Sequence, residues 1–253
     1  MAKQNGILKI KGTVEDLTFL DTKDGHQVRK KRRAVSKETI ATDPRYARLR
    51  ENMSEFNRAA NAAKLFRSAV QDVLVDSTDK KVQTRLGKAM MAVVISDPVS
   101  KRGMRNITDG KVELLKDFNF NETAVLSVVL RATINAVIDR AAGKLTAEIP
   151  SFIPESKMTA PKGTTHFKIH SAGVEINFGN NLFITKVFES AGFLVGTDPT
   201  PVVNIVHDIP VNSTNPLFLL VGIRFYQEVN GTLYSLKSGA YNALTVMVAE
   251  SAP

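Results

Sequence analysis

The chain has no cysteine, which excludes disulfides, thiolate metal sites and cysteine nucleophiles. It has only four histidines, and their contexts do not point to a metal. His166 and His170 lie in a stretch that reads as β-strand, where four residues span about 13 Å, too far for one ion. His207 and Asp208 are neighbours on another apparent strand, so their side chains point to opposite faces. There is no Gly-x-Ser-x-Gly elbow, no Gly-x4-Gly-Lys-Ser/Thr loop, no Gly-x-Gly-x-x-Gly and no His-Glu-x-x-His. The expectation is a protein without metal, organic cofactor or covalent nucleophile, and not an enzyme. Long apolar runs are also missing. Leu217 to Gly222 and Ala89 to Ile95 are the longest, far short of a spanning helix. The first residues, Met1 to Ile7, show no apolar signal-peptide core. These features predict a soluble cytoplasmic protein with no membrane partner. The Asn-x-Ser/Thr sequons at Asn52, Asn106, Asn121, Asn212 and Asn230 then read as chance or turn chemistry.

Positive charge is abundant and unevenly placed. Residues 1–120 carry 25 Lys/Arg against 15 Asp/Glu, a net +10, and residues 121–253 carry 9 against 10, a net −1. A basic half beside a neutral half implies a division of labour. At 253 residues and 43% apolar composition, the chain is long enough to bury a core without staples.

The patterning predicts an α+β fold in two parts. The first, residues 1–120, is a small β element followed by a helical hairpin. Ile7 to Lys11 alternates, Val14 to Leu20 forms a second strand, Asp24-Gly25 makes a turn, and Gln27 to Arg33 returns as a very basic third strand. A long helix is expected from Pro44 to Val75, with Asp43 as N-cap. Its inward stripe is Tyr46, Leu49, Met53, Phe56, Ala60, Ala63, Phe66 and Val70. The Ala-rich middle would let a second helix, Ser77 to Ile95, approach closely, and Pro98 marks its stop. The second part, residues 121–253, reads as about eight short strands in an antiparallel β-sandwich. Its clearest turns are Arg140 to Gly143 and the type I′ signal Asn230-Gly231.

Several segments have a distinctive pattern. They are Gly6 to Thr13, Asp16 to Phe19, Lys23 to Gly25 with Val28-Arg29, Arg50 to Asn52 with Glu55-Phe56, and Phe225 to Gly231. Together they resemble an uncharacterised full-length protein family of Bacteroidota bacteria. The resemblance implies a bacterial cytoplasmic origin and the two-part layout, and it transfers no functional residue.

Two groups of candidate residues remain. The first is cationic: the run Arg29, Lys30, Lys31, Arg32 and Arg33; then Lys81, Arg85 and Lys88 on one face of the second helix; then Lys101, Arg102 and Arg105 in the loop after it. These residues could grip a polyanion such as nucleic acid through its phosphates, dock on an acidic neighbouring subunit, or simply face solvent. Only Phe19 and Tyr46 lie near the basic run, so the interleaved aromatics of a single-strand binder are missing. The second group is the apolar set Ile7, Leu8, Ile10, Leu17 and Phe19, read as an assembly strand. Three functions stay open: a non-catalytic structural protein that self-assembles into rings or filaments with copies of itself, a cytoplasmic protein that binds nucleic-acid backbone, and an enzyme of unrecognised class.

Overall fold

The computed structural model describes residues 2–4, 9–31, 35–237 and 239–253. The fold is α+β, and the chain separates into two compact units, residues 1–50 and 51–253.

The first unit is a four-stranded antiparallel sheet with short helical turns. Its strands are β1 (Ala2–Lys3), β2 (Gly12–Val14), β3 (Leu17–Thr22) and β4 (Gly25–Lys30), in the order β1-β4-β3-β2. The expected strand at Ile7 to Lys11 is not formed by residues 9–11, and Ile7 and Leu8 lie outside the described residues. Gln4 takes over the backbone there: its side chain accepts from the Ile10 amide at 3.0 Å and donates to the Ile10 carbonyl at 3.1 Å. The β3–β4 corner is Lys23-Asp24, with Gly25 at φ 99° as the first residue of β4. Helix α1 (Lys37–Thr42) follows, capped by Ser36.

Asp43 accepts from the Arg45 amide and caps a 3-10 turn, Pro44–Tyr46, which leads into α2 (Ala47–Ala69). The long helix therefore begins where its cap and proline place it, but it breaks at Val70. A short α3 (Gln71–Leu74) continues, and α4 (Val82–Ile95) is the second long helix.

The second unit has two sheets. Strands β5 (Asn135–Asp139), β6 (Lys144–Ile149) and β10 (Val203–Asp208) form one, in the order β10-β6-β5. The larger sheet contains β7 (His166–Asn177), β8 (Leu182–Glu189), β9 (Phe193–Leu194), β11 (Leu217–Val229), β12 (Thr232–Ser235) and β13 (Ala243–Glu250). Its order is β12-β11-β7-β8, with β13 beside β11 and β9 beside β7. Two single-turn helices, α5 (Leu126–Val129) and α6 (Pro154–Lys157), connect the parts. The β5–β6 turn and the Asn230-Gly231 turn (φ 51° and 77°) stand where the sequence places them.

The alternation along β11 builds the layers. Leu217, Leu219, Val221, Ile223 and Phe225 face a core shared with Leu145, Ala147, Ile149, Val203 and Ile205 of the small sheet. Phe218 and Leu220 point the other way, into a core with Ala172, Val174, Ile176, Leu244 and Val246. Phe66 of α2 and Leu86, Met90, Val93 and Val94 of α4 cover that second face. Phe66 meets Phe218 edge-on, with ring centroids 4.8 Å apart. The helix pair, grouped by the sequence reading with the N-terminal element in residues 1–120, thus shares a core with the sheet of residues 121–253. The reason is that the larger sheet is apolar on both faces and one small sheet covers only one of them.

A glycine between the apolar runs His166 to His170 and Val174 to Phe178 reads by local pattern as a strand break at Gly173. Instead β7 runs through it. A Cβ there would lie 2.5 Å from Cβ of His207, so the glycine makes room for an imidazole and does not break the strand. Gly173→Ala should therefore destabilise the protein by about 1–3 kcal/mol, since the clash involves the root of a side chain. Gly196→Ala, with nothing within 4 Å of the new methyl, should stay within about 0.5 kcal/mol. Urea midpoints of the two variants check this, and equal midpoints would refute the packing role of Gly173.

Candidate functional site

The buried polar groups are the first place to look for chemistry. Ser171 Oγ lies 2.9 Å from Nε2 of His207 and 2.6 Å from the Leu220 carbonyl. A hydroxyl has one proton, and the carbonyl can only accept, so Ser171 donates to Leu220. His207 Nε2 must then carry a hydrogen and donate to Ser171. This is the reverse of a base activating a serine, and both residues are buried. Asp208, on the opposite face of β10, is exposed. Burial lowers the His207 pKa to about 4, against a smaller opposing pull from Asp208. Burial, with Arg224 nearby, also holds His170 well below the usual histidine range. Among the described residues, no group of three His, Asp or Glu side chains could hold a metal ion.

The cationic candidates separate into two classes. Arg85 and Arg105 are structural. Arg85 pairs with Asp79 and donates to the Asn119 and Phe120 carbonyls, which ties the start of α4 to the loop before α5. Arg105 binds Glu55 through two donors, at 2.7 and 2.8 Å, and the Gly103 amide donates to the same carboxylate at 2.6 Å. The Arg105 guanidinium holds the Glu55 carboxyl below its usual range, although burial pushes the other way. Arg102 is partly engaged, with Asn52 at 2.9 Å and Glu51 at 3.5 Å. A single basic face formed by Lys81, Arg85 and Lys88 does not exist, because Arg85 turns inward. Lys81, Lys88 and Lys101 are exposed, as are Arg29, Lys30 and Lys31. Arg32 and Arg33 lie outside the described residues.

The apolar candidates give a clearer pattern. Leu17 and Phe19 lie two apart on β3 and share a face. Val14 stands opposite Leu17, and Val28 opposite Phe19, so all four form one patch. Among residues 3–4, 9–31 and 35–50 none is buried; Val14 is 56% and Leu17 45% exposed. Ile10 is exposed as well, off any strand.

Sequence reasoning missed two further surfaces. The first is a groove between α2 and α4. The small residues Ala60, Ala63, Gly87 and Ala92 do not draw the helices together; they line a space of about 950 Å³. Phe56, 63% exposed, and Ile95 stand at its walls, and Met53, one turn before Phe56, is exposed too. The expected inward stripe is thus buried only from Ala63 onward, and at Ala59 and Ala62 beside it. The second is the open edge of β8. Leu182, Phe183, Ile184 and Val187 are exposed on a strand paired on one side only, with β7. Its apolar run was visible, but its place at an edge is set by topology.

Removing the cation from the buried pair should be costly. Arg105→Met should lower stability by about 3 kcal/mol, because Glu55 would keep its burial without its partner. Glu55→Gln in the same background should recover part of that loss. No loss in the single variant, by urea denaturation, would show the pair to be dispensable.

Acid should act in two steps. An unfolded His207 takes a proton near its ordinary value of 6.5, and the folded one only near 4, so stability falls as pH drops across that interval. The folded Glu55 value lies below the ordinary 4.5, so the pair's contribution is complete above that pH and disappears as pH falls further. Urea midpoints from pH 7 to 3 should decline in that order, and His207→Gln should make the upper part shallower but not flat, because buried His170 contributes to the same fall. A flat profile above pH 4.5 would contradict the burial of neutral imidazole.

No family model, no curated protein and no solved structure matches this chain.

Proposed function

We propose that this chain is a non-catalytic structural protein of the cytoplasm that assembles with copies of itself, using the N-terminal β element as the joining part. One observation carries the reading. Residues 2–4, 9–31 and 35–50 include a four-stranded sheet with an apolar patch, yet none of residues 3–4, 9–31 and 35–50 is buried. A sheet gains stability from a covered face, and a few exposed strands are marginal by themselves. A second chain that covers Val14, Leu17, Phe19 and Val28 would supply what is missing. The apolar β8 edge is a further surface of the same kind. Among the described residues, no helix is long and apolar enough to cross a membrane.

The polyanion reading is weaker, because Arg85 and Arg105 are committed to internal carboxylates. It rests on Arg29, Lys30, Lys31, Lys81, Lys88 and Lys101, with Arg32 and Arg33 adjoining.

Size-exclusion with light scattering on nuclease-treated protein, at low and high salt, tests both. The full chain should run as a multiple of 27.7 kDa without nucleic acid. Deleting residues 1–33 should give a folded monomer, since both buried cores lie within residues 51–253. If the truncation forms the same oligomers as the full chain, the assembly role of this element is wrong. If large particles exist only before nuclease or at low salt, the polyanion reading replaces it.

A further inference from the structure

We propose that the α2–α4 groove of one copy receives the β2–β3 hairpin tip of a second copy. The inference rests on the assembly reading above and names its socket. The stripe Phe56, Ala60 and Ala63 has the spacing of a buried helix face, and α4 adds Gly87, Met91 and Ile95. Of this floor, Ala63 is buried, Gly87 and Met91 are half-buried, and Phe56, Ala60 and Ile95 are exposed. Its rim is cationic. Lys64 and Arg67 of α2 and Lys88 of α4 line it, no carboxylate does, and none of the three cations has an ion pair among the described residues.

The occupant should therefore be apolar and carry adjacent negative charge. Glu15-Asp16 is the only pair of neighbouring carboxylates in the sequence. It forms the turn between β2 and β3, with Glu15 at φ 47°. Both residues are exposed and without an ion pair among the described residues. Val14 and Leu17 flank them directly opposite one another, exposed and on one face. The tip thus offers two aliphatic side chains for the floor and two carboxylates for the rim. Hairpin and groove are different surfaces, so the contact is heterologous. Repeated from copy to copy, it gives a ring or an open filament.

Complementary charge reversal tests this in the full-length protein. One variant is Glu15→Lys with Asp16→Lys, and the other is Lys64→Glu with Lys88→Glu; all four positions are exposed. Each variant alone should need at least about tenfold more protein to assemble than wild type, because its tip and groove now carry like charge. Mixing the two should restore assembly, since the intact hairpin of one meets the intact groove of the other. Restoration on mixing also shows that neither variant has lost its fold. If both variants assemble like wild type while deletion of residues 1–33 abolishes assembly, the socket is wrong and the assembly reading survives. If wild type is monomeric in nuclease-treated solution, both fail. If each variant is defective and the mixture stays monomeric, the hairpin and the groove are not partners.

Discussion

The pairing of β7 with β11 in the middle of the larger sheet is the constraint on which the second unit depends. Every residue from Leu217 to Ile223 is buried, and β7 is buried from Ile169 to Ile176. A strand pair with two apolar faces must be covered twice. The small sheet β10-β6-β5 covers one face, and α2 and α4 cover the other. The burial of each large side chain contributes about 1.5–3 kcal/mol relative to water, so this pair alone orders much of the chain around it. That is why the helices are part of the sheet's unit, far though they lie from it in sequence.

Several polar groups inside this arrangement are satisfied by position, whereas both ring nitrogens of His170 are buried without a hydrogen-bond partner among the described residues. His207 fits over Gly173 and donates to Ser171, which in turn donates its hydroxyl hydrogen bond to the Leu220 carbonyl. His170 stands directly opposite Gly222, the second place where a missing side chain admits a ring. Burial keeps both imidazoles neutral, and neutrality suits a core. At the far end of α2, Glu55 is the acceptor that organises the loop after α4 through Gly103 and Arg105. Asp97 does the same from the start of that loop. Burial alone would raise its pKa, but the amides of Val99, Ser100 and Asn106 outweigh that and keep it charged. Much of the charge in the basic half is therefore spent on holding loops, which is why a charge count overstates the surface open to a polyanion.

What remains unspent is apolar. Val14 and Leu17 beside the half-buried Phe19, the wall of α2 at Phe56 and the edge of β8 all have sequences suited to burial, and apart from Phe19 these side chains are exposed. In the assembly proposed above, a second copy would cover such patches.

The sequence by itself determined the elements. Asp43-Pro44 set the start of the long helix, Asn230-Gly231 and Gly143 set hairpins through their left-handed backbone, and alternation set the strands of the second half. Local rules suffice for these because each is decided by backbone sterics within a few residues. Tertiary structure alone decided which faces meet. The stripe on α2 was legible as apolar, but whether Phe56 is covered depends on where α4 comes to rest, and the small residues at Ala60, Ala63 and Gly87 hold a space there. Arg85 and Lys88 look alike in sequence; one turns to Asp79 and the other to solvent, because only one has a carboxylate within reach. Gly173 reads as a breaker until a histidine from a strand more than thirty residues away occupies the place its side chain would have filled. These outcomes depend on contacts between distant residues, and no local pattern encodes them.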